Sequence, residues 1–514
     1  MMIKQIWQKR YLVPAGIGFL VLLIVLPSLG KEWLKYDYDG LLQWRLIHDW
    51  QNAYRFFIHY IPPEMRSGVY APLRTAYAAL QYSLFGGASL PYQITALVWH
   101  LCATVTVYAL GRLFAKRPGA AIAALLYGLH PGLTGMVIVP AAALDLPGQA
   151  LILLCLYCCL RGQRADSVDD GFGWRRWAVR VMAAAVLLSE AALLLPVLFL
   201  FMAVFSDRGS SFKERAAGTV PFWVIVLVYC GGKYWAAGSL FPLPAFGFWQ
   251  GVIRHFGVWT GAPELGVFLN GNILIALIIS AGWALTGFMI MRRKNSGFSL
   301  GFAAGVCGLL ASFLQGGQAA PLIEPYAVFT VLSFSLILSY AFDGLTQRLP
   351  KIRWIVFTLI MVSFAVRGVS LGRVLNTPAG YQRYLIRLDP ADAEHYYWYG
   401  LTKLEMGDLS AARRALQRAV MLRGSGRDYF TLAETFLRLG KGGEAEKFLH
   451  HAVLQDPAFT EAYLNFIFLA YHDDRPQDAQ KYLNQLLEQW RQNKTYYEAG
   501  RGLDDVEMFL QGDL

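Results

Sequence analysis

The chain is constrained above all by a series of apolar runs, each long enough to cross a bilayer, separated by short loops rich in lysine and arginine. The first, Tyr11 to Leu29, is close to the roughly 20 apolar residues a helix needs to span a hydrocarbon core of about 30 Å. Others follow at Tyr92 to Phe114, Ala120 to Pro140, Leu146 to Leu160, Thr219 to Ala237, Ile273 to Ile290, Phe298 to Phe313, Tyr326 to Ala341 and Trp354 to Leu371. The run from Trp177 to Phe205 is too long for one untilted helix. Ser189-Glu190 near its middle predicts two short helices turning there, for about eleven crossings in all. With 56% hydrophobic and 16% charged residues in 514, the chain is not an ordinary soluble protein. The expected fold is all-α, a polytopic helical membrane domain over residues 1–375.

The net charge of +11 does not point to nucleic acid, because the basic residues gather in short loops instead of forming a stripe. Arg112/Lys116/Arg117, Arg161/Arg164/Arg175/Arg176, Arg208/Lys213/Arg215, Arg292/Arg293/Lys294 and Arg348/Lys351/Arg353 fall on one side if the long run crosses twice. The positive-inside rule makes that side the cytoplasm. It predicts a cytoplasmic N-terminus, an extracytoplasmic segment over about residues 30–90, and an extracytoplasmic C-terminal domain, in a bacterial inner or plasma membrane. Lys4, Lys9 and Arg10 precede the first run as in a signal peptide, but no small-residue cleavage pattern follows, so it reads as a retained anchor. All six cysteines lie in apolar runs and read as small hydrophobes, with no disulfide framework.

Residues 376–514 differ in composition and carry a repeat. Tyr396, Tyr399, Gly400, Gly407, Ala412, Leu416 and Ala419 recur 33 residues later as Tyr429, Leu432, Ala433, Gly440, Ala445, Leu449 and Ala452. A looser third copy runs through Tyr463, Phe466, Ala470, Ala479 and Leu483. Small residues that let paired helices approach, alternating with large ones that fill gaps, form the tetratricopeptide pattern of an α-solenoid. Its concave face could bind a peptide, a protein partner or the chain's own membrane domain.

Candidate chemistry lies in Lys35-Tyr36-Asp37-Tyr38-Asp39-Gly40, which sets two carboxylates just beyond the first span. Near it, Leu41 to Trp50, Tyr54 to Ile58 and Leu73 to Leu84 have aromatic-rich amphipathic patterns suited to the membrane interface. Leu240 to Leu265, with Trp249, Arg254, His255 and Trp259, is either a further interfacial helix or an aromatic belt. His100, His130, Asp145, Glu190 and Glu324 fall at span ends, where ionisable groups are costly and usually face a cavity. A neutral imidazole bonded to backbone is the alternative for the two histidines, and a wet surface position for the two glutamates.

Tyr70-Ala71-Pro72-Leu73, Leu80 to Gly86, Tyr92 to Leu101, Ala120 to Pro131 and Leu144-Asp145-Leu146 resemble one family in order and spacing. It is the GT-C-type membrane glycosyltransferases with C-terminal tetratricopeptide repeats, which include bacterial relatives of the animal TMTC O-mannosyltransferases. The resemblance implies a sugar donor linked to polyprenyl phosphate and a protein or peptide acceptor. It makes Asp39, in Tyr38-Asp39-Gly40, the catalytic base, with Asp37 assisting where the family's second acid is missing. It places Arg74 and His130 near the donor phosphate, with His100, Arg254 and His255 as further cations, and Asp145, Glu190 and Glu324 in the cavity. No resident metal is required, although an Asp-x-Asp pair could hold a divalent ion. The chain departs from the family at Ala71, Gly135, Ala143, Ser189 and Pro325, where charged residues are usual. Those departures suit the alternative of a non-catalytic membrane scaffold whose repeats dock partners in envelope, pilus or polysaccharide assembly.

Overall fold

A computed structural model describes residues 2–30, 48, 70–205, 211–237, 296–314, 327–345, 350–375, 377–457 and 459–492. These residues are helical with no strand among them, and the chain divides into two units at Thr377/Pro378. In the first unit the helices are α1 (Met2–Val25), α2 (Pro72–Phe85), α3 (Ser89–Arg112), α4 (Arg117–Gly128), α5 (Pro131–Ile138), α6 (Pro140–Ala143) and α7 (Leu146–Gln163). They continue as α8 (Val168–Leu188), α9 (Leu195–Phe205), α10 (Phe212–Ala217), α11 (Val220–Ala237), α12 (Ser296–Leu314), α13 (Ala327–Leu345) and α14 (Pro350–Val374).

Three of the described helical runs, Ser89–Arg112, Phe212–Ala236 and Trp354–Val374, are long and apolar enough to cross a membrane. The pair Arg117–Gly128 and Pro131–Ile138, bent by 48°, makes a fourth if it counts as one span. The chain is accordingly an integral membrane protein; the finer count of about eleven crossings includes Ile273 to Ile290, which lies outside the described residues. The bend follows from Pro131, which has no N–H to continue the ladder and disfavours the helical region at His130. His130 is extended (φ −61°, ψ 124°) and caps the next helix. The long run breaks where the sequence predicts: Ser189 is extended (φ −153°, ψ 124°), and a 3₁₀ turn over Glu190–Leu194 separates α8 from α9.

The first unit is held together by close helix approaches at small residues, as expected where lipid offers no hydrophobic drive between helices. At Gly128 a Cβ would stand 2.7 Å from Val21 Cγ2 and 2.9 Å from Thr104 Cγ2, so α1, α3 and α4 meet because this position has no side chain. Gly148 does the same between α7 and the α8 break, where a Cβ would lie 2.7 Å from Ser189 Cβ. Leu227, Val228, Leu359 and Val366 are exposed on α11 and α14, on faces that a bilayer would cover.

The second unit contains α15 (Pro378–Leu388), α16 (Ala393–Glu405), α17 (Leu409–Leu422), α18 (Gly426–Arg438), α19 (Gly442–Gln455), α20 (Thr460–His472) and α21 (Pro476–Gln492). α16 pairs with α17, α18 with α19 and α20 with α21, and each pair packs on the next. The repeating positions form the core: Leu416, Ala419, Leu432, Ala433, Ala445, Leu449 and Ala452 are fully buried. A Cβ on Gly400 would stand 2.6 Å from Leu416 Cγ, which explains the small residue there.

A polar node joins α16 to α18. The Asp428 carboxylate, fully buried, accepts from Arg423 Nε at 2.9 Å and from Ser425 N at 3.1 Å. Arg423 and Arg427 both bind Glu394, whose Oε1 also accepts from Trp398 Nε1 at 2.7 Å. Burial pushes both carboxyls up, but the arginines and hydrogen bonds outweigh it and hold both below the ordinary carboxylate range.

Gly128→Val should lower the melting point of the detergent-solubilised chain by overpacking the α1/α3/α4 contact, at a cost of about 1–3 kcal/mol, whereas Gly16→Ala, with open space around it, should leave the melting point unchanged. Because the Asp428 and Glu394 values are depressed by folding, their stabilisation is complete above about pH 5 and lost as pH falls through the folded values. Hydrogen exchange over α16 to α18 in the full chain should therefore accelerate between pH 5 and pH 3, after correction for intrinsic rates. In Asp428→Asn it should already be faster at neutral pH, with a shallower acid dependence.

Candidate functional site

The polar groups of the first unit collect at one end of its helices. The basic turns at Arg112 to Arg117 and Arg161 to Arg176 lie at the opposite ends of α3, α4, α7 and α8. The collecting end is where α1 stops, where α2, α3 and α7 start, and where α5 and α8 finish.

Two ion pairs are built there. Arg74, in the first turn of α2, sets Nε 2.9 Å from Asp145 Oδ1 and donates from Nη2 to Oδ2 at 3.3 Å. Asp145 sits at the N-cap position of α7 and its side chain is 7% exposed, against 23% for Arg74. Charge-assisted contacts at one edge of a guanidinium leave other N–H donors for a second anion. In the other pair Lys233 Nζ, in α11, lies 2.6 Å from Glu190 Oε1, with side chains only 2% and 7% exposed. The same oxygen accepts from Tyr70 N at 3.1 Å and faces Tyr229 OH at 3.0 Å. Tyr229 OH also bonds the Tyr70 carbonyl, so its single proton lies between two acceptors.

The pairs are one turn apart along two helices. Tyr70 precedes Arg74 by a turn, and Gly148, a turn after Asp145, touches Ser189, the neighbour of Glu190. Gln93, at the start of α3, accepts from Gly30 N at 2.8 Å and donates to Ile138 O at 2.8 Å, tying α1 and α5 to the same end.

Both histidines serve the break between α4 and α5. In a continuous helix Gly132 N would bond Gly128 O; here it donates to His130 Nδ1 at 3.2 Å. His100 Nε2 donates instead to Gly128 O at 2.9 Å. The first bond requires an unprotonated Nδ1, and so Nε2–H, on His130; the second requires a proton on Nε2 of His100. His130 also meets Phe334 and Phe364 edge-on, with centroids 6.3 and 5.3 Å away. The backbone-bonded alternative is thus the geometry found for both residues.

The structure brings Arg74, Asp145 and Glu190 together. Asp37, Asp39, Arg254, His255 and Glu324 lie outside the described residues, as do the amphipathic segments Leu41 to Trp50 and Tyr54 to Ile58 except His48. Leu73 to Leu84 forms most of α2. Among the described residues no group of three His, Cys, Asp or Glu side chains could hold a metal ion. Lys233, Tyr229 and Gln93 escape the sequence reading, although a lysine inside an apolar run is itself a signal that a buried partner exists.

Ser189, Ala143 and Gly135, three of the five positions that depart from the family pattern, have explanations in the fold; nothing in the structure explains Ala71, and Pro325 lies outside the described residues. Ser189 carries no charge next to Glu190, and Lys233 supplies it from 43 residues away. Ala143 carries none beside Asp145, and Arg74 supplies it from 71 residues away. At Gly135 a Cβ would lie 3.1 Å from Leu371 Cδ2, so that position is closed by apolar packing.

No family model matches the chain, and no curated protein matches it. Among solved structures it is similar to ArnT from Cupriavidus metallidurans bound to undecaprenyl phosphate, with 15% identity, 88% of this chain and 80% of that one covered, and a TM-score of 0.46. It is similar to the Archaeoglobus fulgidus oligosaccharyltransferase tethered with an acceptor peptide, with 14% identity, 72% and 56% covered, and a TM-score of 0.45. It is also similar to MamA, with 20% identity over 30% of this chain and 89% of that one, and a TM-score of 0.22. Likeness at this level gives no residue a role.

Burial makes the Arg74–Asp145 pair asymmetric. Arg74→Gln strands a carboxylate that is almost wholly buried and should cost roughly 3–5 kcal/mol, while Asp145→Asn leaves a guanidinium that reaches the surface and should cost roughly 1 kcal/mol. Thermal unfolding of the two variants in the same detergent checks the order.

Proposed function

We propose that the chain is a membrane glycosyltransferase that moves a sugar from a polyprenyl-phosphate-linked donor to a hydroxyl of a protein or peptide on the extracytoplasmic side. One observation carries the reading: Arg74, gripped along one edge by Asp145, is part-exposed at the helix ends into which Gly30 and Tyr70 lead from either side of the acidic segment. A cation held that way suits a phosphate, because its orientation is fixed before the anion arrives.

In this mechanism Asp39 takes the proton of the acceptor hydroxyl as the hydroxyl oxygen bonds the anomeric carbon. The bond from that carbon to the phosphate oxygen breaks, and polyprenyl phosphate leaves with the negative charge that Arg74 offsets. Asp37 assists Asp39, and Arg254 and His255 are further cations for the phosphate. His100 and His130 shape the cavity wall through the α4/α5 break, and Glu324 completes the polar lining. The second unit is a tetratricopeptide α-solenoid that docks the acceptor or a partner, and it follows a membrane domain of about eleven spans with its N-terminus in the cytoplasm.

A second reading, a non-catalytic scaffold of the same fold, is favoured by Gly135, whose place is filled by Leu371, and by the pairing of Glu190 and Asp145 with internal cations. Transfer of radiolabelled sugar from a panel of polyprenyl-phosphate sugars, in membranes containing the chain or Asp39→Asn at equal expression, separates the two. The enzyme reading expects transfer that falls at least about 100-fold in the variant. Equal transfer removes Asp39 from the mechanism, and no transfer with any donor favours the scaffold.

A further inference from the structure

The segment that carries Asp37 and Asp39 runs from residue 31 to residue 69, and the structure shows what holds the chain on either side of it and at His48. At the start, Gly30 N donates to Gln93, which is fully buried and bonds Ile138 O in turn. Within it, the His48 ring stacks on Tyr82 of α2, with centroids 4.3 Å apart and planes within 11°. At the end, both backbone polar groups of Tyr70 are held by side chains, N–H by Glu190 and C=O by Tyr229. Lys233 neutralises Glu190 and shares the same oxygen.

A carboxylate oxygen surrounded by an ammonium, a peptide N–H and a phenol, at 2.6, 3.1 and 3.0 Å, is well supplied with partners. It is well placed to hold backbone, and the backbone it holds lies just before α2, one turn from Arg74. We infer that Glu190 is a positioning residue, and that Glu190, Tyr229 and Lys233 at Tyr70, together with Gln93 at Gly30, hold the chain on either side of the segment that carries Asp39 relative to Arg74. The inference deepens the glycosyltransferase reading and rests on it for the role of the segment, but not for the anchoring.

The test uses the full chain in nanodiscs and three variants: Tyr229→Phe, Glu190→Gln, and Glu190→Gln combined with Lys233→Met. Amide exchange is read on peptides covering residues 60–75, and kcat and KM are read in the transfer assay. Tyr229→Phe should speed exchange at Tyr70 about tenfold and lower kcat about tenfold with KM within about twofold. Glu190→Gln should do at least as much, because it breaks the ion pair to Lys233 and replaces the charged acceptor of the Tyr70 N–H by a neutral one. Adding Lys233→Met removes the ammonium whose ion pair to Glu190 was broken while the introduced side-chain amide carbonyl still accepts from Tyr70 N, so exchange and kcat should both return to within about threefold of the parent.

Recovery of exchange without recovery of kcat would make the Glu190 carboxylate part of the chemistry and overturn the assignment. Unchanged exchange at Tyr70 in both single variants would overturn the anchor itself. Should the parent transfer no sugar, the failure belongs to the glycosyltransferase reading, and exchange alone decides the anchor.

Discussion

The buried ion pair between Lys233 and Glu190 is the contact on which the arrangement of the first unit turns. Neither charge could stand alone between apolar helices, since removing one partner of such a pair leaves several kcal/mol of uncompensated desolvation. Their union therefore requires α11 to bring Lys233 to the break between α8 and α9. At that break Glu190 also meets the Tyr70 N–H. Gly148 admits the break against α7, and α7 begins at Asp145, the partner of Arg74. The two pairs are thus consequences of one packing solution.

Much of this fold is legible in sequence because transfer from water to lipid is a local property of a run of residues. The apolar runs beginning at Tyr92, Leu146, Thr219 and Trp354 become helices that start within about four residues of them. The turn at Ser189-Glu190 is equally local, whereas the interruption at His130-Pro131 falls inside a run read as unbroken from Ala120 to Pro140, although a proline disturbs the ladder where it sits. The pairing of charges is different. Nothing in the residues around Lys233 names Glu190, and Arg74 is as far from Asp145 in sequence as two ends of a small domain. A family pattern that looks for a cation beside each acid finds Ser189 and Ala143 and reports it missing, whereas the fold provides it from another helix.

The histidines answer a different demand. The α4/α5 break creates two backbone groups that need partners: Gly132 N and Gly128 O. His130 and His100 supply them. Buried backbone groups are almost always satisfied, and the proline that breaks the helix creates the demand that the rings meet. The signal was present in the sequence as His130-Pro131, but its meaning needed the position of His100 on a neighbouring helix.

How far internal pairing removes a charge from chemistry depends on what the pair leaves uncovered. Glu190 is closed in by three partners at one oxygen and is nearly out of reach of solvent, so its charge is committed to holding Tyr70 and Lys233. Arg74 is different in geometry more than in strength. Asp145 touches one edge of a planar group that carries five N–H donors, and almost a quarter of the side chain remains exposed. A carboxylate oxygen that takes an ammonium, a peptide N–H and a phenol is committed to them, while a guanidinium oriented by one anion along one edge keeps other N–H donors. The same kind of contact, found twice at one end of the helices, thus holds backbone in one case and leaves a part-exposed cation in the other.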